Sequence, residues 1–88
     1  MADILIVDDE RDIIKMEAHM LTNLGYKPVV ANSAEEALRL FQMDPRRFDV
    51  VITDQVMPGK SGVEMATEML AMRPDTPIIL CTGFSESV

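Results

Sequence analysis

The 88-residue sequence predicts an α/β domain built on a parallel sheet with helices on both faces. Three observations carry that prediction. Short apolar runs at Ile4–Val7, Pro28–Ala31, Val50–Ile52 and Pro77–Thr82 alternate with segments whose apolar residues recur at helical spacing. Pro, Gly, Asn, Asp or Ser punctuates the junctions between them. Carboxylates stand directly after the first and third runs, where open parallel sheets hold their ligands. The expected order is β-α-β-α-β-α-β, with right-handed crossovers and helices of about 10–13 residues.

Ile4-Leu5-Ile6-Val7 reads as a first buried strand, stopped by Asp8-Asp9-Glu10. From Asp12 the period changes. Ile13, Met16, Met20 and Leu24 recur at helical spacing, and Ile14, Ala18 and Leu21 widen the stripe. Asp12 is the expected N-cap and Gly25 the C-terminal stop. Pro28–Ala31 is a short second strand, and its leading proline suits a sheet edge. Ser33-Ala34-Glu35-Glu36 is a capping box, opening a helix with Ala34, Ala37, Leu38 and Phe41 on one face. Asp44-Pro45 ends it.

The third strand follows Phe48-Asp49. Its β-branched Val50, Val51 and Ile52 suggest burial on both faces, and it closes at Asp54. After the Met57-Pro58-Gly59-Lys60 turn, Ser61-Gly62-Val63-Glu64 offers a second capping box. Val63, Ala66, Met69 and Leu70 continue that helix to a stop at Pro74. Pro77–Thr82 reads as a fourth buried strand closed by Gly83.

Composition narrows the function. At 48% hydrophobic and 26% charged, the chain can bury a core, and its length suits one domain over residues 1–88. A net charge of −7 argues against direct binding to nucleic acid or anionic lipid, and suits a cation wherever carboxylates converge. Cys81 has no internal disulfide partner, so a buried structural thiol in a reduced, cytoplasmic setting is expected. The N-terminus lacks a basic signal-peptide region, and no apolar stretch approaches the ~20 residues of a membrane span.

Asp8, Asp9 and Asp54 lie at the carboxyl ends of strands one and three, so a parallel sheet brings them to one rim. Like charges raise one another's pKa unless a cation neutralises them, and a few oxygens plus waters suit Mg²⁺. A carboxylate beside Mg²⁺ can attack phosphorus and form an aspartyl phosphate. Thr82 would bring a hydroxyl to the same rim. Each of these residues taken singly reads as well as a turn or cap residue; their conjunction points to a metal or phosphoryl site. His19 and Lys60 read as surface residues, and the methionines as core filler. Gly59 and Gly62 form neither a dinucleotide fingerprint nor a P-loop.

Ile6-Val7-Asp8-Asp9-Glu10, Asp54 with Met57-Pro58-Gly59 and Gly62, and Pro77–Gly83 together resemble the receiver domain of bacterial two-component response regulators. The closing Leu80–Glu86 is similar to receivers attached to hybrid sensor histidine kinases. The resemblance implies a flavodoxin-like sheet of order 2-1-3-4-5. It implies that Asp54 accepts a phosphoryl group from a histidine kinase or phosphotransfer domain. Asp8, Asp9, Asp54 and the Val56 carbonyl would hold Mg²⁺, and Thr82 would be the switch hydroxyl. Val56 and Phe84 would tune phosphoryl lifetime. Such a module signals by a change of surface; at most it promotes its own phosphorylation and dephosphorylation.

A complete receiver of this kind continues through a fourth helix, a fifth strand bearing a lysine and an aromatic residue, and a fifth helix. The chain is therefore expected to be a receiver incomplete at its C-terminus. Ile78–Cys81 would then be an apolar edge open to self-association, and the rival reading is a dimerisation or scaffold module that is not phosphorylated. A haloacid-dehalogenase-like phosphatase is disfavoured, because it needs an aspartate where Val56 stands.

Overall fold

The computed structural model describes residues 2–81. Thr82 and Phe84, singled out above, lie outside the described residues. The elements are β1 (Asp3–Val7), α1 (Arg11–Asn23), β2 (Lys27–Ala31), α2 (Ala34–Met43), β3 (Val50–Asp54), α3 (Gly62–Met72) and β4 (Ile78–Cys81), in the expected order. They form one parallel sheet of order β2-β1-β3-β4. As its leading proline suggests, β2 is an edge strand. The register sets up the site. Val7 pairs with Thr53, so Asp8 and Asp54 each come one residue past the same rung of the ladder.

Alternation along β1 divides the core between two layers. Leu5 and Val7 face α2 and α3, packing with Val51, Ala34, Phe41 and Met69. Ile4 and Ile6 face α1, where Ile14 is buried and Ala18 and Leu21 pack beside it. The two sides of β3 are unequal: Val51 and Thr53 are buried, Val50 and Ile52 half-buried. The expectation of burial on both faces holds only for the α2–α3 side.

Ala34, Ala37, Leu38 and Phe41 are all buried, as their spacing predicts. Ser33 Oγ accepts from the Glu36 N–H at 3.1 Å, but the Glu36 carboxylate reaches back to the N–H of Asn32, not Ser33. In α3 the capping box closes both ways: the Ser61 hydroxyl accepts from the Glu64 N–H and the Glu64 carboxylate accepts from the Ser61 N–H. The start of β3 is anchored by Arg73, whose guanidinium donates to the Phe48 carbonyl at 2.8 Å and to Pro45 at 3.3 Å.

Four expectations need correction. In α1 the inward stripe is Ile14, Ala18 and Leu21, while Ile13, Met16, Met20 and Leu24 are exposed. Both stripes have helical spacing, and only packing on the sheet selects between them. The N-cap is Glu10, with no side-chain cap, and Asp12 sits in the first turn. In α3 the buried residues are Gly62, Met65 and Met69, with Val63 and Leu70 exposed. In β4 only Ile78 is half-buried; Ile79, Leu80 and Cys81 are exposed. Among the described residues no strand pairs with its outer edge, so an apolar run does not by itself yield burial.

Candidate functional site

Two strand ends and the turns that leave them build the site. The Asp8 N–H donates to the Ala31 carbonyl at 3.1 Å, extending the β1–β2 ladder one residue past the strand. Asp8 Oδ1 then accepts from the Glu10 N–H at 2.9 Å. This side-chain turn bends the chain at Asp9 and sets two carboxylates side by side. On the β3 side, the Gln55 N–H donates both to the Cys81 carbonyl at 3.1 Å and to Asp54 Oδ1 at 3.0 Å. Strand pairing and side-chain orientation therefore share one donor.

The loop after Asp54 is tied to the start of α3. The Gly62 N–H donates to the Gln55 carbonyl at 2.9 Å, and the Val63 N–H to the Gln55 side-chain oxygen at 2.9 Å. Gln55 was not anticipated from sequence. Its only signal was a polar residue directly after Asp54. Gly62 allows the approach: a Cβ there would stand 2.4 Å from the Asp54 carbonyl oxygen. Gly59 turns the loop with φ +81°, a conformation that disfavours a Cβ.

Asp8, Asp9 and Asp54 come together as expected. Each offers a carboxylate oxygen, these oxygens all lie within 4.8 Å of one another, and all three residues are half-buried. Burial pushes the Asp54 carboxyl above the usual range, and the charges of Asp8 and Asp9 push the same way. The N–H groups of Gln55 and Val56 oppose that shift without cancelling it. Crowded carboxylates held against their own repulsion are a set of hard donors suited to a small divalent cation.

The remaining candidates divide. The Val56 side chain is exposed, and its N–H is directed toward Asp54. His19 is exposed, as expected. Lys60 lies at the surface, partly covered and paired with Glu68. Cys81 is exposed rather than buried; partial burial and the charges of Glu17, Asp54 and Asp8 push its thiol up. Glu17 is the second residue sequence reasoning missed. With Asp8, Asp54 and Cys81 it lines a cavity of about 30 Å³. The usable signal was a carboxylate between Ile14 and Leu21 on the inward stripe of α1.

Residues 4–88 match the family model of the response regulator receiver domain. Response regulator SaeR of Staphylococcus epidermidis is 35% identical over 83 residues, which are 94% of this chain and 35% of SaeR. The chain spans 14% to 35% of the length of such curated relatives. A receiver domain protein of Clostridium thermocellum superposes with a TM-score of 0.92 at 35% identity, covering 97% of this chain and 68% of that one. TrrA of Thermotoga maritima, solved in complex with Mg²⁺-BeF, gives 0.89 at 41% identity, with 97% and 72% covered. TrrA has also been solved in complex with the histidine kinase ThkA; that likeness scores 0.87 at 40% identity, with 99% and 73% covered. With the parallel β2-β1-β3-β4 sheet and the acidic rim already in place, the chain belongs to the receiver domains of two-component response regulators.

Proposed function

We propose that Asp54 is the phosphoacceptor of this receiver, and that residues 1–88 act as one signalling unit of a two-component system. The observation that carries the reading is the convergence of Asp8, Asp9 and Asp54 at the carboxyl edge of β1 and β3. In the proposed step a carboxylate oxygen of Asp54 forms a bond to phosphorus while the P–N bond of a donor phosphohistidine breaks. The leaving imidazole nitrogen keeps the bonding electrons and takes up a proton from solvent. Asp8, Asp9 and Asp54, with the Val56 carbonyl, would hold Mg²⁺, which when bound offsets charge on the transferring oxygens. Asp8 and Asp9 hold the cation rather than attack, and the Gln55 N–H keeps Asp54 oriented. Thr82 is proposed as the switch hydroxyl.

The partner is a histidine kinase or phosphotransfer domain. In support, Ile13 and Met16 are 42% and 57% exposed on α1, one to two turns past Asp9, where a helical partner could cover them. The net charge of −7 disfavours nucleic acid. No helix of the described residues is long and apolar enough to cross a membrane, and a cytoplasmic setting is proposed with the family.

The metal half of the reading is tested by Mg²⁺ titration followed by NMR or calorimetry. The wild type is expected to bind one ion and Asp9→Ala to bind at least about tenfold more weakly, since a lost charged ligand is worth over 1.4 kcal/mol. Equal affinities would remove Asp9 from the site.

A second reading, self-association as a scaffold, rests on β4. Ile79 and Leu80 are 52% and 38% exposed, and the outer edge is unpaired among the described residues. Sedimentation velocity at high micromolar concentration is expected to give a dimer if that edge is used. A monomer throughout would reject this reading.

A further inference from the structure

We infer that Glu17 is a positioning residue of the cation site, a fourth negative charge that favours a doubly charged ion without ligating it. The inference rests on the reading that Asp8, Asp9 and Asp54 hold a divalent cation. Glu17 projects from the inward stripe of α1, between Ile14 and Leu21, rather than from the rim. It is half-buried and shares with Asp8 and Asp54 a cavity of about 30 Å³. The other walls are largely apolar, with Ile6 and Ile52 among them. Ion pairs among the described residues join Arg47 to Asp3, Lys60 to Glu68 and Arg73 to Asp75, and none involves Glu17.

A carboxylate on an inward helical stripe is costly unless something compensates it. Burial pushes the Glu17 carboxyl up, and the charges of Asp8 and Asp54 push it further. That repulsion is mutual, so the same charge deepens the well into which a cation falls. The attraction scales with the charge of the ion, so Glu17 favours Mg²⁺ over Na⁺ or K⁺. With screening at ordinary salt, the expected effect on Mg²⁺ affinity is about three- to tenfold.

The test compares wild type, Glu17→Gln and Glu17→Asp in two measurements: the Mg²⁺ dissociation constant, and Tm without divalent cation. Glu17→Gln keeps the shape and removes the charge. It is expected to weaken Mg²⁺ binding about three- to tenfold while raising the cation-free Tm, because the repulsion is relieved. Glu17→Asp is expected to keep most of the affinity. A packing role would lower Tm and affinity together, and that result would overturn the inference. Binding lost in Asp9→Ala but unchanged in Glu17→Gln would overturn the inference alone. No Mg²⁺ binding by the wild type would overturn the site and the inference together.

Discussion

Incubated with Mg²⁺ and a small acyl-phosphate donor, the wild-type chain is expected to gain one phosphoryl group by intact mass, and Asp54→Ala none. The loss should be complete, because the variant has no oxygen at the position of bond formation. Asp8 and Asp9, proposed here as holders of the ion, are not expected to substitute. Chelating the divalent cation should suppress labelling of the wild type too, as three carboxylates would then repel an arriving dianion. Equal label on wild type and Asp54→Ala would move the acceptor elsewhere and end this reading.

Replacing Asp54 by asparagine is expected to have an opposite effect, on stability. Asp54 is held above its ordinary pKa by burial and by Asp8 and Asp9, so the cation-free native state binds its proton more tightly than the unfolded chain does. Stability therefore falls as pH rises through the folded-state value, and is recovered as pH drops toward the unfolded one. Asp54→Asn removes that penalty. Its cation-free Tm at neutral pH is expected to rise by a few degrees, on the order of 1 kcal/mol or less after solvent screening. Its stability should also vary less between acid and neutral pH. A lower Tm for Asp54→Asn would mean that the carboxylate stabilises the fold instead of straining it.

Gly62→Val is expected to be the most damaging single substitution in the site region. An added Cβ would lie 2.4 Å from the Asp54 carbonyl oxygen, 2.9 Å from Leu80 Cδ1 and 3.0 Å from Gln55 Cα. Two of these obstacles are backbone, so the clash is relieved only by moving the loop that presents Asp54. Overpacking of that kind costs about 3 kcal/mol or more, a large part of the stability of so small a domain. Tm should fall by roughly 12–24 °C, and Mg²⁺ affinity should fall with it. Gly59→Ala is the control. Its Cβ would meet only Glu35 Oε2 at 3.5 Å, so the cost is confined to the positive φ of +81° and should be about 1 kcal/mol. Gly62→Val within 0.5 kcal/mol of wild type on denaturant unfolding would contradict this account.

The acidic triad was legible because carboxyl ends of parallel strands share a rim; no knowledge of packing was needed to place Asp8, Asp9 and Asp54 together. The inward face of α2 was legible for a local reason. Ser33 marks the helix start, and only Ala34, Ala37, Leu38 and Phe41 fit one stripe from there. In α1 that anchor is missing. Glu10 caps with backbone alone, and apolar residues lie on two adjacent stripes, so one residue of phase, about 100° of rotation, decided which was buried. Glu17 was hidden by that same choice. The exposure of β4 and Cys81 depends on what lies beside the strand, a relation between segments that no window of sequence contains. Element order, strand direction and the identity of the acidic cluster thus follow from local pattern and chain connectivity. Which helix face turns inward, what Gln55 and Gly62 hold in place, and how near Glu17 comes to Asp54 are set by packing of distant segments, which only the tertiary structure supplies.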